Sequence, residues 1–150
     1  SRGLGDVYKR QMQMKPRNVK QVIVMRKDLN MRKGKMIAQG AHASVDALLS
    51  LFSRTEKEGK VTYRLTYGED SPLAEWLNGM YAKICLYVES EEELVSLYER
   101  IREENPSIPV SMIEDAGLTE FHGVETKTCI GIGPWWSEEI DIFTGELKLL

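Results

Sequence analysis

Lys33 and Lys35 flank Gly34 at the start of an apolar, alanine-rich helical pattern, with Arg32 just before them. The start of a helix carries partial positive charge, so each cation there is unfavourable by a few tenths to about 1 kcal/mol. An anion would reverse that sign, because backbone N–H groups at a helix start already favour one. Gly34 would let a ligand approach the backbone closely. The G-x-x-x-x-G-K-[ST] spacing of a nucleotide-binding P-loop is absent. Lys35, Gln39, His42 and Asp46 then recur at steps of 4, 3 and 4, forming one polar stripe. A second group lies in "IEDAGLTEF" (113–121), where Asp115 ends an apolar run, Gly117 allows a sharp turn and Thr119 adds a hydroxyl; read alone, this is more readily a plain turn, common to most folds. Ligands of α/β sheets collect beyond the carboxyl ends of strands, where such a carboxylate would sit. No Ser-His-Asp arrangement is evident.

These groups need a scaffold, and the apolar runs supply one. "VKQVIVMR" (19–26) is a short β-branched run, the pattern of a strand buried on both faces. "YAKICLYV" (81–88), "IPVSMIE" (108–114) and "TKTCIGIG" (126–133) read as three more strands. A helix is predicted from about Gly34 to Phe52, with Ile37, Ala41, Val45, Leu48 and Phe52 as its core-facing stripe. "SEEELVSLYERIREEN" (90–105) is a second helix, capped by Ser90 with Glu93 three residues on. Ser71 and Pro72 open a short helical stretch in 71–80. The polar segment 53–70 is an excursion holding at most a short hairpin. "TGEL" (144–147) is a turn into an apolar tail. Strands alternating with helices give a three-layer α/β/α fold around a mixed, mainly four-stranded β-sheet.

A chain of 150 residues is one domain's worth. Residues 1–18 show neither period and are expected to be a leader, disordered or non-native, before a single domain at 19–150. No apolar run approaches the roughly 20 residues of a membrane helix. Cys85 and Cys129 sit in apolar runs and read as buried free thiols, which favours a reducing, cytoplasmic setting. With two histidines, His42 and His122, a histidine-rich metal site is not expected. Net charge is -3, yet residues 15–35 hold eight cations and one carboxylate, a candidate polyanion footprint or a solvated edge. Trp135 and Trp136, after "GIGP", could stack bases or the amino-acid part of a substrate, or clamp the terminal helix or a dimer partner.

Taken in order, "KQVIVMRKDLNMRKGKMIAQGAHASVDA", "VESEEEL", "IEDAGLTE", "CIGIGP" and "TGELKLL" resemble the archaeal and eukaryotic class of peptidyl-tRNA hydrolases. The resemblance spans residues 19–150. It implies hydrolysis of the ester between a peptide and the 3′-terminal ribose of tRNA. It implies no metal or organic cofactor, and a domain often found as a homodimer. It puts Lys33, Asp115 and Thr119 in the catalytic site. Lys35, Gln39, His42 and Arg32 are expected to contact substrate nearby, and the phosphates to be held without sequence reading. The alternative is a non-catalytic RNA- or protein-binding member of the same fold. The sequence departs from the family at 53–80, which is longer than usual, at "EFHGVETKT" (120–128) and at "PWW".

Overall fold

In the computed structural model, which describes residues 17–118 and 120–150, strand β1 runs over Val19–Arg26 with five consecutive residues buried. Helix α1 (Lys33–Leu49) follows, then a hairpin of β2 (Ser53–Lys57) and β3 (Lys60–Arg64), and a short helix α2 (Pro72–Asn78). Strand β4 (Lys83–Val88), helix α3 (Glu91–Glu104), strands β5 (Val110–Asp115) and β6 (Thr126–Trp136) and helix α4 (Ser137–Thr144) complete the order. The main sheet is ordered β4-β1-β6-β5. β1 pairs parallel with β4 and antiparallel with β6, and β5 pairs antiparallel with β6. The parallel pair requires a crossover, and α1, the hairpin and α2 all lie within it.

Alternation along β1 divides the core. Val22 and Val24 turn to the face that α3 and α4 cover with Leu94, Leu97, Ile101 and Ile140. Ile23 and Met25 turn to the other face, where Ala43 of α1 meets them beside Cys129. The register continues the pattern, pairing Val22 with Ile132 and Val24 with Ile130. The α/β/α layering expected from the sequence is thus present.

The phase of α1 differs from expectation. Its buried residues are Gln39, Gly40, Ala43 and Ala47, whereas Ile37 is 73% and Val45 55% exposed. The reason is a close approach. A Cβ on Gly131 of β6 would lie 2.4 Å from the Ala43 carbonyl oxygen, so only the small-residue side of α1 fits there. The helix therefore rests on its thin side and leaves Ile37, Ala41, Val45 and Leu49 outward. It also ends at Leu49, three residues before Phe52.

Other expectations are met or corrected locally. Ser71 accepts from the Ala74 N–H and Ser90 from the Glu93 N–H, as their caps require. Glu93 reaches back to the Glu89 N–H. Cys129 is buried, but Cys85 is exposed, because it turns to the face of the sheet beside α1 where a cavity lies open. Helix α4 is the terminal helix, to which the sequence pattern gave no bounds. After it the tail returns to the β4 edge of the sheet: Tyr87 N–H donates to the Lys148 carbonyl, and Leu150 N–H to the Cys85 carbonyl. Such cover blunts an edge that would otherwise pair with another chain.

Candidate active site

The start of α1 meets the end of β5. Arg32 caps α1 in extended conformation with no side-chain bond to the first turn, and that turn holds no acidic residue. At its third position Lys35 donates from Nζ to Asp115 Oδ1 at 2.8 Å. Both side chains are only 14% exposed. Gln39, one turn on, adds a longer bond from Nε2 to the same oxygen at 3.3 Å. The second carboxylate oxygen, Oδ2, accepts from the Gly117 N–H at 3.0 Å. Gly117 has φ +79, and a Cβ there would lie 2.5 Å from the Val124 carbonyl oxygen. Glycine is thus required where the loop closes on itself, with Gly123 N–H donating to the Gly117 carbonyl.

Gln39 is fixed from behind. Thr128 Oγ1 donates to Gln39 Oε1 at 2.6 Å, which turns the amide Nε2 toward Asp115. Both residues are buried. Thr128 owes its direction to a bulge: Ile113 pairs with Cys129 and Glu114 with Lys127, leaving Thr128 as the extra residue. A bulge re-aims a side chain relative to strict alternation. Sequence reasoning misses Thr128, because a bulge leaves no local signal beyond a buried polar residue among apolar ones.

These contacts set the protonation states. The Lys35 hydrogen bond above all, with the Gly117 N–H and Gln39 amide, holds the Asp115 carboxyl below its ordinary 3.8, against partial burial that pushes upward. Asp115 is therefore an ionised acceptor at neutral pH and a weak base. Cys129 is pushed up to about 12 by burial, so this thiol is no nucleophile at neutral pH.

The remaining site candidates are spread around this pair. Lys33 does not face Asp115. It is exposed, and it rims an apolar cavity of about 580 Å³ on the other side of α1, walled by Ile23, Met25, Met36 and Ile37. Lys33 and Lys35 are two positions apart, about 200° around a helix, so only one can turn to β5. His42 and Asp46 line a separate cleft with Met112, Ile113 and Glu114. Arg32 lies 3.9 Å from Glu120 and lines the mouth formed with Leu29, Phe121 and His122. Thr119 lies outside the described residues.

The basic run of 15–35 is mostly neutralised. Arg17 pairs with Glu138 and Glu139, Lys20 with Asp141, Arg26 with Asp28, and Lys35 with Asp115. Among the described residues, Lys27 and Lys33 make no ion pair. The tryptophans act as clamps: the Arg17 guanidinium lies 4.0 Å over Trp136, and Trp135 Nε1 donates to Glu139. Among the described residues no three His, Cys, Asp or Glu gather closely enough to hold a metal ion. Nor is any helix among them long and apolar enough to cross a membrane.

The family model described as "Peptidyl-tRNA hydrolase PTH2" matches residues 19–150. A peptidyl-tRNA hydrolase of Methanocaldococcus jannaschii is 39% identical over 132 residues, covering 88% of this chain and 100% of its own. One of Methanopyrus kandleri is 41% identical over 131 residues, covering 87% and 97%. One of Saccharolobus solfataricus is 39% identical over 132 residues, covering 88% and 99%. Family model and relatives agree on one assignment: this chain belongs to the peptidyl-tRNA hydrolase family that the model describes.

Proposed function

We propose that this chain hydrolyses the ester joining a peptide, or an N-blocked amino acid, to the 3′-terminal ribose of tRNA, releasing free tRNA. The observation that carries the reading is the ionised Asp115, held by Lys35, Gln39 and the Gly117 N–H beside a helix start without a side-chain cap. An aminoacyl ester is already reactive, so the protein's work is to bind it and to aim one water. A carboxylate held below its ordinary range is a poor base but a strong acceptor. Asp115 accordingly orients the attacking water, and the ester's own reactivity supplies the rest. Lys35, on the same carboxylate, supplies positive charge beside the developing oxyanion. Gln39 and Thr128 are positioning residues that keep the carboxylate in place.

Lys33 and Arg32 have a different task in this reading. At the first turn of α1, they and the backbone N–H groups hold the phosphate of the terminal nucleotide. Lys33 thus acts on the substrate from the flank opposite Asp115. Thr119, four residues after Asp115 in the sequence, completes the catalytic set, and His42 contacts substrate further along α1. The enzyme works where peptidyl-tRNA arises, in the cytoplasm.

A homodimer belongs to the same reading. Four strands are wider than the roughly 10 Å of one helix. On one face of the sheet the core is closed by α1, while α3 and α4 together close the other. Ile37, Ala41, Val45 and Leu49 form an outward apolar row beside the Met25 and Cys85 cavity. A second copy would cover it.

The test is release of intact tRNA from N-acetylated aminoacyl-tRNA. Wild-type protein is expected to turn it over, with free uncharged tRNA as a competitive inhibitor. Turnover that ignores uncharged tRNA would mark a general esterase. Binding of tRNA with no turnover would mark a non-catalytic member of the family.

A further inference from the structure

The hairpin of β2 and β3 stands apart from the main sheet, and every residue of both strands is exposed. Its two-residue turn, Glu58 and Gly59, has positive φ at both positions, as a tight hairpin with right-handed twist requires. The register fixes what each face carries. Ser53 pairs with Arg64, Thr55 with Thr62 and Lys57 with Lys60, so these six side chains share one face. The other face carries Arg54, Tyr63, Glu56 and Val61. There Arg54 and Glu56 pair at 3.6 Å, and Tyr63 meets Phe52 edge-on at 6.3 Å between ring centroids. One face is therefore mixed and tied to the end of α1. The opposite face presents two lysines, an arginine and three hydroxyls, with no carboxylate among them.

Such a face is costly by itself. Lys57 and Lys60 stand directly opposite each other, and like charges in cross-strand register are destabilising. Among the described residues neither they nor Arg64 makes an ion pair, although Glu56 and Glu58 are close in sequence. An extended polyanion satisfies the pattern: ammonium and guanidinium groups meet successive phosphates, and the Thr55 and Thr62 hydroxyls donate to phosphate oxygens, Ser53 already donating to the Arg64 carbonyl. Helix α1 ends at Leu49, so it runs about 21 Å from Lys35 toward the hairpin. At that distance the hairpin is out of reach of an ester held at Asp115, but within reach of a nucleic-acid helix whose 3′ end is there.

We infer that the Lys57, Lys60 and Arg64 face of this hairpin grips the phosphate backbone of the tRNA substrate away from the scissile ester. The inference rests on the hydrolase reading and adds a second point of attachment to it. Backbone contacts at this distance set affinity without touching the chemical step.

Two triple variants test it, Lys57→Glu/Lys60→Glu/Arg64→Glu and its glutamine counterpart, all at exposed positions. Two substrates are compared: full-length N-acetylated aminoacyl-tRNA, and the same ester on a short single-stranded oligonucleotide with the same 3′ end. On the full-length substrate the glutamate triple is expected to raise KM on the order of tenfold with kcat unchanged. The dependence of log(kcat/KM) on log salt should flatten by about three, one for each cation removed. The short substrate should be turned over as by wild type. Unchanged KM and salt slope on full-length tRNA would overturn the inference, as would equal impairment on both substrates. Wild-type protein inactive on both would instead defeat the hydrolase reading. Anisotropy titration of uncharged tRNA would then still decide the hairpin, since the variants must bind it more weakly than wild type.

Discussion

Lys35 and Asp115, 80 residues apart in the chain, meet at 2.8 Å where the first turn of α1 abuts the end of β5. That contact joins the helix closing one face of the sheet to the last residue of β5. It also sets the charge of the group on which hydrolysis would turn. Asp115→Asn keeps the shape but removes the charge, and Asn can place an N–H where water must be accepted. Turnover of N-acetylated aminoacyl-tRNA should fall on the order of 10²- to 10³-fold, within the range for losing a positioned acid–base group. Far-ultraviolet circular dichroism should be unchanged. A variant retaining full turnover would remove Asp115 from the mechanism.

The pH dependence follows from the same contact. Asp115 is held below 3.8, first by the Lys35 hydrogen bond. A carboxyl depressed in the folded state adds stability above its unfolded value, and loses that contribution as pH falls through the folded value. The acid limb of kcat/KM due to Asp115 should therefore lie below pH 3.8 in wild type. In Lys35→Met the largest depressing contact is gone while partial burial still pushes upward. The limb should move toward neutral pH, and acid unfolding should begin at higher pH. An acid limb at the same pH in both proteins would show that Lys35 does not govern Asp115.

The amide of Gln39 has one useful orientation, and Thr128 selects it. Thr128→Val leaves the buried Gln39 oxygen without its donor, at about 1–3 kcal/mol in urea-unfolding stability. An amide freed from Thr128 can turn its oxygen onto Asp115, so kcat should fall more than KM changes. Gln39→Glu puts a second carboxylate beside the first, which raises the pKa of one of them. Its acid limb should shift upward further than that of Gln39→Leu. A Thr128→Val protein with wild-type stability and kcat would show that the bulge is not supporting the site.

Much of this was legible in the sequence, and the rest fails for identifiable reasons. The four strands announce themselves as β-branched runs, and Asp115 with Gly117 marks a strand end and a turn. The choice between Lys33 and Lys35 depends on the rotation of α1 about its axis. Hydrophobicity points the wrong way there, because Ile37 and Val45 outrank Ala43 and Ala47 as core candidates. What decides is Gly131, a residue on another element, where the backbone of α1 comes too close for any side chain, even a methyl. Thr128 was invisible because strict alternation would turn it away from α1. The bounds of helix α4 were hidden behind Pro134 and two tryptophans, which read as an irregular exit.

The close approach gives a paired prediction on two glycines. In Gly131→Ala the new methyl would lie 2.4 Å from the Ala43 carbonyl oxygen, a backbone atom that cannot step aside. Overpacking of this kind costs about 1–3 kcal/mol. Moving α1 off β6 also carries Lys35 and Gln39 away from Asp115, so activity should drop even where the protein stays folded. Gly40→Ala is the control on the same helix. Its Cβ meets a methyl of Ile23 at 3.6 Å, an ordinary contact, and alanine gains about 1 kcal/mol of helix propensity. Thermal unfolding should rank Gly40→Ala at or above wild type and Gly131→Ala well below. The reverse order would mean that α1 is not seated by Gly131.

The outward row of α1 makes the last prediction. Ile37, Ala41, Val45 and Leu49 repeat every four residues, the spacing of a buried stripe, yet Val45 is 55% exposed. A single chain gains nothing from such a row, whereas two copies related by a twofold axis could each bury it against the other. Val45→Glu with Leu49→Glu replaces the half of the row farthest from Lys33. Sedimentation equilibrium should give twice the chain mass for wild type and the single-chain mass for the double variant. Circular dichroism should be unaltered, since neither side chain supports the core. Asp115, Lys35 and Gln39 all come from one chain, so turnover per chain should persist in the monomer. Loss of turnover on dissociation would mean that the partner completes the site. A wild-type protein that sediments as a single chain at all concentrations would leave the row unpaired and defeat the dimer.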